Sequence, residues 1–177
     1  MLNIFLLMMP ALIAWMDFRW RAIWWGMIPA MIAVLMIKSA NSLSGYDAMR
    51  YSFINLCFLI LQYYLAKISI SIQNKKLTRL MNTYIGIGDV LFFISLCVAF
   101  SPVNFFMFYG LALFITLVVS AVYRLVVKTP RRGVPLAGGI ALIFMAIQLT
   151  ANFLPLDFYN DHFFIRLLYA CNGTVPY

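Results

Sequence analysis

Apolar and polar positions along this chain fall into long blocks rather than a fine alternation. Six apolar blocks lie at roughly 2–18, 23–40, 50–72, 85–101, 104–127 and 134–154, and most of the charges gather between them. A helix needs about 17–25 apolar residues to cross the hydrocarbon of a bilayer. The pattern therefore predicts an all-α, polytopic membrane protein with about six transmembrane helices, formed by one domain over residues 1–154. The first and fourth blocks are the short ones, so those helices are expected to stand nearly upright or to be shielded by neighbours. The first block has no basic residues ahead of it; Arg19 and Arg21 follow it. It reads as a retained first helix, because a signal peptide carries its positive charge before the apolar run. Residues 155–177 mix Asp157, Asp161, His162 and Arg166 with Phe, Tyr and Leu, and read as an interfacial tail.

The charges give the blocks an orientation. Arg19 and Arg21 follow the first block. Lys67, Lys75, Lys76 and Arg79 mark the end of the third, and Arg124, Lys128, Arg131 and Arg132 that of the fifth. Only Lys38, Arg50 and Arg166 belong to the other side. Basic residues are retained on the cytoplasmic side of a membrane. All three odd-numbered exits are therefore expected in the cytoplasm and both termini outside it, as in a multi-pass protein of a prokaryotic inner membrane. The basic clusters serve first as topology determinants, with anionic lipid head groups as natural neighbours.

Composition narrows the chemistry. The chain is 65% hydrophobic and 10% charged, where soluble domains run nearer 45–50% and 25%. A basic balance on such a chain argues for topology rather than for nucleic acid, which needs a solvated basic face. The three cysteines, Cys57, Cys97 and Cys171, form no close pair, so neither a zinc site nor a disulfide framework is expected. The first two read as small core residues inside apolar runs. No metal or cofactor is called for. Trp15, Trp20, Trp24 and Trp25 crowd the first cytoplasmic turn and read as an interfacial aromatic belt. His162 is given no catalytic role, and 172-NGT-174 is read as a chance match to a glycosylation acceptor.

The acidic residues are few: five Asp and no Glu. Asp47 lies in a polar outer connection, and Asp157 and Asp161 lie in the tail. Asp17 ends the first apolar block and Asp89 begins the fourth, in 84-YIGIGDVLFF-93. The topology puts both at the cytoplasmic edge of the membrane, at one depth. An ionisable residue in such a place is a candidate for function. Two carboxylates within a few ångströms do not both ionise cheaply; they share a proton, as in aspartic proteases. The ionised member can then take a proton from water while the protonated member donates to a carbonyl. Gly86 and Gly88 would let an extended peptide approach the backbone beside Asp89. Structural roles compete: Asp89 as the N-cap of the fourth helix and Asp17 as the partner of Arg21.

Three stretches together resemble the type IV prepilin peptidases, a branch of the GxGD membrane aspartyl proteases. They are Asp17 with 18-FRWRAI-23, then 86-GIGDV-90, then 132-RGVPLAGGIAL-142, in order across essentially the whole chain. The resemblance implies that Asp17 and Asp89 are the catalytic pair. It also implies that the substrate is a prepilin or pseudopilin, cut after its short basic leader at the cytoplasmic membrane face. Where the family often carries Ile-Pro-Asn after the basic cluster, this chain has Ile23-Trp24-Trp25, and where it often carries Lys two residues past the motif's Asp, this chain has Leu91. The cysteine-rich loop that longer members use for methylating the new amino terminus has no counterpart, so peptidase activity without methyltransferase activity is expected. The alternatives are another GxGD protease acting on different membrane peptides, and a non-catalytic membrane scaffold or transporter subunit.

Overall fold

Every apolar block becomes a helix. The computed structural model describes residues 2–74, 86–127, 136–153 and 158–159. The elements are α1 (Leu2–Trp20), α2 (Met27–Ser42), α3 (Gly45–Asn74), α4 (Ile87–Leu96), α5 (Pro102–Val127) and α6 (Leu136–Phe153). Among the described residues the fold is all-α, with no strand. The basic connections at 75–79 and 128–132, and the expected tail apart from residues 158–159, lie outside the described residues.

The helix ends follow local chemistry. The Ser44 hydroxyl accepts the Asp47 amide at 3.2 Å and donates to the Asp47 carboxylate at 2.7 Å, so these two close the start of α3. Asp47 thus belongs to a helix cap rather than to a plain loop. α5 opens on Pro102, whose missing N–H is no loss in a first turn. α1 ends with Arg21 at φ 53°, its amide donating to the Asp17 carbonyl at 3.0 Å. That is the left-handed closing residue usual after a helix, here without the glycine that favours it.

α1 and α6 make the most extensive helix pair, α2 packs on α1, α3 and α4, and α5 packs on α6 and α3. The short α4 lies between α2, α3 and α6, and supplies Phe92 and Leu96 to a core that also holds Ile13, Met31, Phe105 and Phe144. The sequence pattern predicts a span over 85–101, yet α4 stops at Leu96 and turns follow. Asn55, 1% exposed on α3, explains the stop: its Nδ2 donates to the carbonyls of Cys97 and Phe100, at 2.9 Å each. Carbonyls released from a helix inside an apolar bundle must find protein donors, and one amide side chain satisfies two of them. Phe158 and Tyr159 dock on this corner, where the Phe158 carbonyl accepts the Ser101 amide at 3.0 Å and Asn104 Nδ2 at 2.9 Å.

Two helical stretches among the described residues, Gly45–Ile72 and Pro102–Tyr123, are long and apolar enough by themselves to cross a membrane, against the six expected. The apolar stretches Met27–Ser42, Ile87–Leu96 and Leu136–Ala151 are shorter. At about 1.5 Å per residue, the 10 residues of α4 cover about half of the roughly 30 Å of hydrocarbon. The long helices are also the least covered ones. Ile60, Leu61, Leu65 and Ile68 on α3, with Phe106, Phe114 and Leu125 on α5, stand exposed. Contiguous apolar surface of this kind is foreign to a monomer in water. Cys97 is buried as expected of a small core residue, whereas Cys57 is exposed, because it lies on the outer face of α3.

Candidate functional site: two carboxylates on one helix turn

The site is assembled by three helices. Asp17 occupies the last turn of α1, Asp89 the first turn of α4, and both point at the first turn of α6. The Gly138 amide donates to Asp17 Oδ2 at 2.6 Å, and the amide before it, Ala137, donates to Asp89 Oδ1 at 2.9 Å. Consecutive amides of a helix are offset by only about 1.5 Å along its axis. The two carboxylates therefore converge on one helix turn, although they come from helices far apart in the chain. Asp89 Oδ2 also accepts its own helix's Gly86 amide at 3.2 Å. Asp17 is 7% exposed and Asp89 is half-buried.

Helix N-termini present unpaired N–H groups and a partial positive charge, so a first turn is a natural seat for carboxylates. What is particular here is that one turn seats two. The fit depends on glycine. A Cβ on Gly138 would lie 3.0 Å from Asp17 Oδ2 and 3.1 Å from Phe18 Cε2, closer than side chains normally tolerate. The next residue, Gly139, faces the opposite way, with its Cα against Thr116 of α5. Small residues at such positions let helices approach to backbone contact.

The two glycines expected to admit a peptide differ. Gly86 is exposed at the mouth of the site, in extended conformation, and an added Cβ would meet only the Asp89 carboxylate, at 3.2 Å. Gly88 is covered: Ile23 lies over it, and an added Cβ would be 3.3 Å from Ile23 Cδ1. Gly88 thus serves the contact between α4 and the segment leading to α2. Leu91, where the resembled family often has Lys, packs partly buried on the core. Trp15, Trp20, Trp24 and Trp25 are all more than half exposed around the same end of the bundle.

No family model, no curated protein and no solved structure matches this chain.

The site offers two carboxylates and backbone donors, and among the described residues no third metal-ligating side chain joins them. Beside it runs an apolar cavity of about 570 Å³ between α3, α4 and α5. Its walls include Leu56, Tyr63, Phe93 and Tyr109, and it reaches Val90 and Leu136, the neighbours of Asp89 and Ala137. Carboxylates gathered on one turn beside an apolar groove can exchange protons with a polar group delivered from that groove. Sequence reasoning missed the donors. Ala137 and Gly138 act through their backbone, and their only trace in the sequence is the run of small residues after Pro135.

Proposed function

We propose that this protein is a membrane-embedded aspartyl endopeptidase that removes the basic leader from a prepilin-like substrate. In this reading the helices form a multi-pass bundle in a prokaryotic inner membrane, both termini lie outside the cytoplasm, and the aspartates sit at the cytoplasmic face. The observation that carries it is the convergence of Asp17 and Asp89 on consecutive amides of α6. Two carboxylates so placed hold one proton between them. One takes a proton from water as the water attacks the peptide carbonyl, and the other protonates the carbonyl oxygen. The exposed Gly86 leaves room for an extended peptide, and the exposed apolar faces of α3 and α5 fit a lipid surround. Prepilin or pseudopilin and membrane lipid are the partners; neither nucleic acid nor methyl transfer has a part.

The same hydrogen bonds support a second reading, in which the pair only caps α6. Co-expression with prepilins and measurement of leader cleavage separates the two. Asp17→Asn and Asp89→Asn are each expected to abolish cleavage while the protein remains inserted and helical. Cleavage that persists in either variant removes that residue from the catalytic pair and leaves it a cap.

A further inference from the structure

The two aspartates are not equivalent, and the difference is in how many amides hold each. Both oxygens of Asp89 are engaged, Oδ1 by the Ala137 amide and Oδ2 by the Gly86 amide. Asp17 is engaged through Oδ2 by Gly138, and its Oδ1 takes no bond from the described residues. A carboxylate that accepts N–H bonds on both oxygens is favoured in its ionised form, because each N–H bond is stronger to a charged oxygen than to a neutral one. An oxygen without such a donor is the place where a proton can reside. From this geometry we propose that α6 divides the labour of the pair: Asp89 is the ionised base that activates water, and Asp17 carries the shared proton on Oδ1 and gives it to the substrate carbonyl. Ala137 and Gly138 are then positioning residues that act through their amides.

Among the described residues, the charges acting on Asp17 are those of Asp89 and Arg21. Arg21 is exposed at the end of α1, where solvent screens it. Two direct amide bonds on Asp89 outweigh a screened charge beside Asp17.

The step rests on the peptidase reading. Water attacks the scissile carbonyl carbon, Asp89 takes a water proton, and Asp17 gives its proton to the carbonyl oxygen, leaving a gem-diol. On collapse Asp89 returns its proton to the leaving nitrogen, the carbon–nitrogen bond breaks, and Asp17 recovers a proton from the gem-diol hydroxyl. Both carboxyl groups regain their starting states.

The assignment is testable without any substrate. The chain has five Asp and no Glu, so the full-length protein in lipid nanodiscs, labelled with ¹³C at the Asp carboxyl carbon, gives few signals. Asp17→Asn and Asp89→Asn samples assign the two of interest. As the pH is lowered from mildly alkaline, the Asp17 carbon is expected to change from carboxylate to acid first. Earlier conversion of Asp89, or simultaneous conversion of both, overturns the proposal.

A second arm uses leader cleavage. The acid limb of a pH–rate profile reports the base and the alkaline limb the acid. Ala137→Pro deletes one amide at a first-turn position where helices accept proline, and should move the acid limb up by about one pH unit. Gly138→Ala, whose methyl pushes Asp17 off the Gly138 amide, should instead move the alkaline limb up. The reverse pattern overturns the assignment. Failure of the unsubstituted protein to cleave any prepilin counts against the peptidase reading alone, since the spectroscopic arm still decides which aspartate holds the proton.

Discussion

Replacing Gly139 by alanine tests the packing that brings α6 to its place. An added Cβ would lie 2.8 Å from Thr116 Oγ1 and 3.1 Å from Thr116 Cβ, and would press on Cγ2 as well. Thr116 is 5% exposed, and a β-branched side chain in a helix has few places to turn. The strain must therefore be relieved by separating α5 from α6. Overpacking of this kind costs about 1–3 kcal/mol, and the absence of a flexible neighbour places Gly139→Ala near ~2 kcal/mol, a roughly 30-fold loss in the folded-to-unfolded ratio. Thr116→Ala should cost little alone. It loses a buried methyl, at about 1 kcal/mol, but also removes a hydroxyl that has no hydrogen-bond partner among the described residues, whose burial costs a similar amount. In the double variant the residual contact needs a shift of only a few tenths of an ångström, so the pair should couple by about 1–2 kcal/mol. Gly110 is the control. It is exposed on α5 with nothing near its would-be Cβ, so Gly110→Ala should stabilise by about 0.4–1 kcal/mol. The assay is unfolding in mixed micelles followed by far-ultraviolet circular dichroism. A Gly139→Ala cost within error of zero, or strict additivity with Thr116→Ala, refutes the close approach.

Two further outcomes follow from the site and its support. Gly138→Ala should push the Asp17 carboxylate off its amide and, by the worth of one charged hydrogen bond, lower leader cleavage by about 10–100-fold, with the unfolding midpoint as the control on folding. Asn55→Ala should strand the Cys97 and Phe100 carbonyls and cost about 2–4 kcal/mol for the two bonds, read in the same micelle unfolding; a change below about 0.5 kcal/mol would show that the end of α4 is held by something else.

The helices were legible in the sequence because their signal is local. Block length and apolarity place α3 and α5 closely, and Asp17 and Asp89 stand out as carboxylates at the ends of oily runs. The length of α4 was not legible, because the residue that ends it, Asn55, is a polar side chain on another helix. The start of α2 lies later than the apolar pattern places it, for a similar reason. Ile23 reads as the first apolar residue of a helix, but it leaves the helix to cover Gly88, and Met27 begins α2 after a turn closed on the Trp24 carbonyl. The two aspartates carry a signal of their own, as carboxylates in an oily chain, whereas the amides that seat them have no side-chain signature.

Seating both carboxylates on one turn has a consequence for how the site can vary. The spacing of the two seats, the Ala137 and Gly138 amides, is set by the repeat of the peptide backbone. Sliding or tilting α6 carries the two seats together, so the gauge between them is preserved while their height in the bundle changes. Divergence in the surrounding residues can thus retune access and affinity while the two seats keep their spacing, so long as position 138 keeps a residue small enough to leave Asp17 on its amide.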